Sequence, residues 1–335
     1  MDDLKFGRRD KRGDWAPTAA LGTSPLFRLP PNPVKVLKWL PSYLLPWNML
    51  FMATGALFWT FLFPDIATMK VLHWGWVLQI LLLNLGSVTL FYSALELRLY
   101  ILRRQSNQFK YNAKFPSDAR NDAFWFGSQN IEGALRSLGT GVPIWTGFQV
   151  LIAWAFANGY VPWMTFSNNF WYLLLLGFCV PIWHEFHFFC IHRLIHTPFL
   201  YKYVHSVHHN SVNPSPWSSL SMHPLEQFLF FTSSLLHLII PSNPVVALYQ
   251  LHYSGFGAVV GHIGFDKIKL AEGAGFDTHA YAHYLHHKYF EVNYGDGLMP
   301  LDRLFGSWHD GTPESDARMA ARFRKKVEKA NRKVA

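Results

Sequence analysis

Residues 71–95 read VLHWGWVLQILLLNLGSVTLFYSAL, a run without Asp, Glu, Lys or Arg that stops at Glu96 and Arg98. At 1.5 Å per residue, an uncharged helix of this length spans the roughly 30 Å hydrocarbon core of a bilayer. Similar stretches surround it. Residues 39–64 are also uncharged, and Pro41 and Pro46 place the start of their straight helix near Trp47, leaving a short span. Residues 137–184 are long enough for two helices, with breaks at Asn158-Gly159, Pro162 and Ser167-Asn168-Asn169. Residues 227–265 are interrupted by Pro241-Ser-Asn-Pro244, so each half is short and the whole reads as a re-entrant or membrane-seated hairpin. The expected fold is an all-α integral membrane protein with about four transmembrane helices plus that hairpin.

Composition agrees. Of 335 residues, 50% are apolar and 17% aromatic, while only 15% are charged, well below the roughly 25% of soluble domains. Intrinsic disorder is excluded. Cys179 and Cys190 lie in aromatic-rich stretches, cannot build a disulfide framework and read as buried small hydrophobes. The net charge of +9 is not gathered into one stripe with stacking platforms, which argues against nucleic acid as a partner.

The basic residues instead report topology. Eight Lys and Arg precede the first span, seven lie between Glu96 and Arg136, and fourteen follow Trp183, whereas the two other connections hold only Lys70. Because cations near span ends favour the cytoplasmic side, four spans with both termini in the cytoplasm fit every segment. The first 38 residues lack a signal-peptide pattern, so the first span is expected to stay in the mature chain. The expected organisation is a basic cytoplasmic segment at 1–38, transmembrane helices at 39–183, a histidine-rich catalytic domain at 184–310 and a basic tail at 311–335. Eight Lys and Arg between Arg318 and Lys333 give that tail the pattern of a helix on an anionic membrane surface.

Fifteen of seventeen histidines fall between His184 and His287. His192-Arg-Leu-Ile-His196 puts two imidazoles on one helix face, and His205-Ser-Val-His208-His209 and His283-Tyr-Leu-His286-His287 each present up to three rings to one side of one turn. Packing so many imidazoles without a cation would bury polar nitrogens lacking partners. One ion cannot use eight ligands and two can share them, so the expectation is a dinuclear site on a cytosolic helical cap. Imidazole ligands without thiolates point away from structural zinc and toward redox iron, with zinc able to substitute. Glu185, Glu226, Asp266 and Asp277 are the nearby acidic groups that could fix ring tautomers.

The boxes HRLIH, HSVHH and HYLHH, followed by Asn293-Tyr-Gly and Asp302-Arg-Leu-Phe-Gly306, resemble the fatty acid hydroxylase superfamily, which includes sterol desaturases, methyl-sterol oxidases and sphingolipid and fatty acid hydroxylases. The resemblance runs from about residue 181 to 308. It implies a membrane di-iron, O2-dependent oxygenase with boxes facing the cytoplasm, acting by hydroxylation or desaturation on a sterol, acyl chain, sphingolipid or other membrane lipid. It also implies an additional ligand at His262, in Gly261-His-Ile-Gly264, and an acidic group at Glu185 where the family usually has Asp. His223, in His223-Pro-Leu-Glu226, is expected to support the ligands or the structure. His279, four residues before His283, is a possible extra ligand. His73, His237 and His252 are expected to make packing or polar contacts.

Two electrons per turnover must come from outside, since the chain has neither a G-x-G-x-x-G nor an HPGG motif. The implied donor is cytochrome b5-like, or a ferredoxin with its reductase. The competing reading from another class is a membrane metal transporter or sensor, in which intramembrane histidines mark an ion path; an inactive scaffold is a third. The membrane expected is the bacterial inner membrane or the endoplasmic reticulum, and the first 180 residues carry no signature of one particular lipid.

Overall fold

A computed structural model describes residues 2–116 and 119–334, and it is mostly helical. Three helical stretches are long and apolar enough to cross a membrane: Trp74–Ile101, Gln129–Ala157 and Phe166–Ile195. A fourth candidate is the pair Pro33–Leu44 and Trp47–Leu62, bent by 50°. The bend falls at Leu45-Pro46, where proline cannot continue the helix ahead of it. The sequence placed the straight helix near Trp47, and it begins there.

The long helices keep large apolar side chains on the outside, including Leu82, Leu90, Trp171, Leu175 and Phe186. An apolar surface of this kind is the normal outer face of a helix in lipid. Cys190 belongs to that face: it is exposed, and Cys179 is half-buried, so the expectation that both are buried is corrected. Both sit on helix Phe166–Ile195.

The 227–265 stretch breaks where Pro241 and Pro244 require it. Helix Pro224–Phe231 and short turns lead into residues 240–243, and helix Pro244–Gly261 returns. The turn is tied to the loop before Phe166–Ile195, with Ser242 N donating to Pro162 O at 3.1 Å and Met164 N to Ser242 O at 2.8 Å. Helix Pro244–Gly261 therefore starts at the opposite end of Phe166–Ile195 from the histidine boxes and ends at His262. It packs most extensively on Trp47–Leu57, where a Cβ on Gly55 would lie a tight 3.0 Å from Tyr249 N.

The cap is not purely helical. Gly7–Arg9 pairs antiparallel with Trp15–Pro17, and Lys267–Ala271 with Ala274–Asp277. Trp15 is buried among Phe109 and Tyr111, and its backbone N–H bonds Tyr111 O at 3.0 Å. The expected basic N-terminal segment is thus folded onto the cap, and residues 21–24 continue across it: Leu21 N donates to Asp310 O and Ser24 N to Leu298 O. Helix Phe166–Ile195 also runs unbroken through the expected 183/184 boundary, joining membrane and histidine-bearing segments in one rod. The basic tail forms helix Pro313–Val334, with Arg322 and Lys326 paired to Glu291.

Candidate metal centre

Each box is delivered by a different local structure. His192 sits in the last turn of Phe166–Ile195 and His196 caps it. The second box follows a wide π-type turn, Tyr201–His205, whose extra residue per turn shifts the rings of His205, His208 and His209 around the axis. The third box is helix Tyr281–Tyr289, which ends at Phe290 in a left-handed conformation, φ 65°. His262 caps Pro244–Gly261.

Nine histidines converge in two groups. His192, His196, His205, His209 and His286 form one; His208, His262, His283 and His287 form the other, with one nitrogen of each residue within 4.8 Å of the rest of its group. The boxes are cross-wired: in the second, the i,i+4 pair His205/His209 enters the first group and His208 the second, while in the third His283/His287 enter the second and His286 the first. The sequence expectation of three rings on one side of a turn is corrected on this point, because at 100° per residue adjacent rings diverge.

The nitrogens are spaced as ligands. His262 Nε2 lies 3.0 Å from His208 Nε2, 2.9 Å from His283 Nε2 and 3.2 Å from His287 Nε2. In the first group, His286 Nε2 lies 3.0 Å from His209 Nε2 and 3.1 Å from His196 Nε2. Imidazole nitrogens about 2.1 Å from one ion fall roughly 3.0 to 3.4 Å apart at octahedral or tetrahedral angles.

Tautomers decide whether these short contacts can be hydrogen bonds. His262 Nδ1–H points at Ala258 O at 2.8 Å, His286 Nδ1–H at Val292 O at 2.7 Å, and His192 Nδ1–H at Tyr294 O at 2.7 Å. A neutral ring that donates through Nδ1 presents a lone pair at Nε2. Each group therefore concentrates lone pairs on one point, while the His209 and His287 Nδ1 atoms have no hydrogen-bond partner among the described residues. Neutral lone pairs aimed together with nothing to receive them fit a pair of bound cations.

Electrostatics runs the same way. Burial first, and neighbouring rings second, hold His209, His283 and His287 well below the ordinary histidine range, and His262 is pushed down to about 4 by burial. Such rings are neutral at physiological pH, the form a metal ion requires.

The surrounding acids divide the support. Glu226 Oε1 lies 2.7 Å from His205 Nδ1. Glu185 does not touch a ring; its carboxylate accepts from Asp296 N and Gly297 N at 3.1 and 3.0 Å. Asp302 accepts from Tyr294 N, Gly295 N and Ser307 Oγ at 2.9, 2.8 and 2.6 Å. Two carboxylates thus clamp residues 294–297, and that loop holds the carbonyl that orients His192. A Cβ at Gly295 would lie 2.8 Å from Glu185 Oε1, so any side chain there would push that carboxylate away from the loop. His223 caps helix Pro224–Phe231, its Nδ1 accepting from Leu225 N at 3.1 Å, and lies outside both groups. His279, φ 56°, lies outside both groups and lines the adjoining cavity. Asp266 and Asp277 line it as well.

Other histidines make ordinary contacts: His237 with Ser242 at 2.7 Å, His252 with Thr54 at 3.0 Å, and His73 with Gly75 N at 3.0 Å. Sequence reading missed the Tyr294, Val292 and Ala258 carbonyls, since a backbone atom leaves no residue signature. Asp302 had a signal, as the first residue of Asp302-Arg-Leu-Phe-Gly306.

A cavity of about 510 Å³ adjoins the groups and reaches His192, His205, His208, His262 and His283. Its apolar wall includes Phe51, Phe188, Met222, Phe230 and Val260, and residues 21–24 lie across another side. That size suits a lipid-sized guest.

The match to known families falls on the same segment. Residues 174–307 match the family model described as fatty acid hydroxylase. Similar proteins include a Delta(7)-sterol 5(6)-desaturase of Gibberella zeae, 31% identical over 46% of this chain and 45% of the relative. A Delta(7)-sterol 5(6)-desaturase of Aspergillus fumigatus is 30% identical over 46% of this chain and 52% of its own. Methylsterol monooxygenase 1 of Gallus gallus is 31% identical over 41% and 47%. The chain spans about half the length of the curated relatives it matches. No solved structure matches it. All nine grouped histidines lie within the matched residues 174–307.

Proposed function

We propose that this chain is a membrane-bound, di-iron, O2-dependent oxidoreductase that hydroxylates or desaturates a C–H bond of a membrane lipid. The observation that carries the reading is the convergence of nine neutral histidines on two points beside an apolar-walled cavity. The names of the sterol desaturases and methylsterol monooxygenases that the chain resembles point to the same chemistry.

In this reading His192, His196, His205, His209 and His286 hold one ion and His208, His262, His283 and His287 the other. Two iron ions there would supply O2 activation toward an unactivated C–H bond. The chain's own part is position and exclusion of water. Phe188, packed on His192 with ring centroids 4.7 Å apart, and Phe230 present a dry wall to the substrate. Glu226 and the Tyr294 carbonyl fix ring orientation. Each O2-dependent turnover consumes two electrons, which an external donor, cytochrome b5-like or a ferredoxin with its reductase, supplies. The site faces the cytoplasm of a bacterial inner membrane or the endoplasmic reticulum, as the Lys and Arg distribution favours. A transporter would string histidines along the spans; here they gather at one end.

The test is metal content of detergent-purified chain with lipid analysis of cells, with and without the gene, under 18O2. Two irons per chain and an 18O-labelled lipid support a hydroxylase, and a lipid lighter by two hydrogens supports a desaturase. A chain without iron, in cells whose lipids do not change, overturns the proposal.

A further inference from the structure

The histidine groups are approached from two sides. The cavity reaches His192, His205, His208, His262 and His283, and its wall includes neither His196, His209 nor His286 among the described residues. The other side is nearer to solvent: of the nine grouped histidines His196 alone is half-buried, and the rest are buried. Two half-buried tyrosines flank it, with ring centroids 5.4 Å away for Tyr201 and 4.9 Å for Tyr294. Tyr201 also lies 5.7 Å from His209 and Tyr294 5.5 Å from His286. Neither tyrosine belongs to the cavity wall, so this side stays open when the cavity is filled.

Exposed cations surround these tyrosines. The Arg193 guanidinium lies 5.2 Å from the Tyr294 ring centroid, and Lys202 follows Tyr201 in the chain. Arg322 and Lys326 of helix Pro313–Val334 are held to this side by Glu291. Burial first, and then Glu291, raise the Tyr294 phenol above its ordinary value, while Arg193 and Arg322 pull it back, so both cations act at that ring. Against the four exposed cations stand half-buried Glu291 and buried Asp302. The excess positive charge steers and orients an acidic protein. The face also stands clear of the lipid tails. Helix Phe166–Ile195 has 30 residues, roughly 45 Å at 1.5 Å per residue against a hydrocarbon core of about 30 Å, so Arg193, His196 and Lys202 at its end rise above that core.

We propose that an acidic one-electron carrier protein docks on the face formed by Arg193, Lys202, Arg322 and Lys326, and delivers electrons past Tyr201 and Tyr294 to the His196 group while the lipid occupies the cavity. The inference deepens the proposed function and rests on it for the demand for electrons. Each docking oxidises the carrier by one electron and reduces one ferric ion to ferrous, so a turnover takes two dockings. Encounters of this kind use small interfaces.

The test uses two acidic carriers, the haem domain of cytochrome b5 and a plant-type [2Fe–2S] ferredoxin, with basic cytochrome c as the carrier of opposite charge. Binding is measured to the full metal-loaded chain in phosphatidylcholine nanodiscs, with empty discs subtracted. At least one acidic carrier is expected to bind, with affinity falling about tenfold as ionic strength rises from about 0.02 to 0.2 M, and cytochrome c is expected not to bind. Lys202→Glu and Arg322→Glu should each weaken the acidic carrier about tenfold and slow its reduction of the bound iron in stopped flow, whereas Lys35→Glu on helix Pro33–Leu44 should change neither. Melting temperature and metal content report the folding of each variant, and Lys202→Glu carries the test should Arg322→Glu not fold. Absence of binding by both acidic carriers overturns the proposal, as does binding that ignores the two reversals or responds equally to Lys35→Glu. Reversals that spare carrier affinity but lower the phosphatidylserine retained by the purified chain give the face to lipid headgroups, and the proposal falls. Docking needs no lipid turnover, so a chain that binds the carrier in this way yet changes no lipid overturns the lipid-oxidising reading alone.

Discussion

His208 and His209 are adjacent in sequence and serve different groups. His208 Nε2 faces His262 Nε2 at 3.0 Å, and His209 Nε2 faces His286 Nε2 at 3.0 Å. Their ring centroids are 5.9 Å apart with planes at 73°, so one turn of chain feeds both sites.

Removing one of these neighbours should therefore remove one ion. His208→Ala is expected to retain the ion of the His209 group, and His209→Ala that of the His208 group, each holding about half the wild-type metal with activity lost. Metal analysis of the two purified variants, with Mössbauer spectra of the remaining iron, checks this. Full wild-type metal and turnover in either would remove that histidine from the site.

Glu226 reaches the His205 ring. Groups that orient a metal-bound histidine typically change affinity by roughly 10- to 100-fold, so Glu226→Gln should weaken metal retention by about that much while the protein still folds. Chelator competition measures it, and an unchanged affinity would leave Glu226 with a packing role.

The loop 294–297 is held between Glu185 and Asp302. Gly295→Ala puts a methyl group 2.8 Å from Glu185 Oε1 and 3.4 Å from Asp302 Oδ2. It should destabilise the chain by about 1–3 kcal/mol, and it should loosen the His192 site because Tyr294 O moves with the loop. Melting temperature and metal content should fall together; a drop in stability with both ions retained would separate the loop from the centre.

Acid should destabilise the metal-free chain. Burial keeps these rings neutral when folded, whereas an unfolded histidine takes a proton near 6.5, the ordinary value from which His262 is pushed down to about 4. Between those values the unfolded state binds more protons, so stability is full above about pH 6.5 and is lost as pH falls toward 4, by up to about 1.4 kcal/mol per unit for each such ring. Thermal melts of chelated protein at pH 7.5 and 5 read this directly. A melting temperature that rises on acidification would contradict neutral buried rings.

Much of this architecture is legible along the chain, because helix periodicity and uncharged length are local properties. Runs such as 71–95, the break at Pro46, the turn at 240–243 and the spacing of the boxes are read from neighbours within a few residues. The count of nine clustered histidines was also within reach, since spacing and the resemblance to a known family name them one by one.

What only the tertiary structure decided is which ring meets which. Adjacent rings such as His208 and His209 diverge locally, but which group each joins depends on helices arriving from three parts of the chain, and short-range spacing carries no record of that meeting. The same holds for Glu185, which sequence proximity assigns to the first box and folding assigns to a loop more than a hundred residues away. It holds too for residues 21–24, whose place across the cavity is set by Trp15 burying itself against Phe109 and Tyr111. Helices and boxes follow from local sequence because backbone hydrogen bonds and apolar transfer act residue by residue; the centre and its cavity follow from packing, which acts between segments that sequence alone leaves far apart.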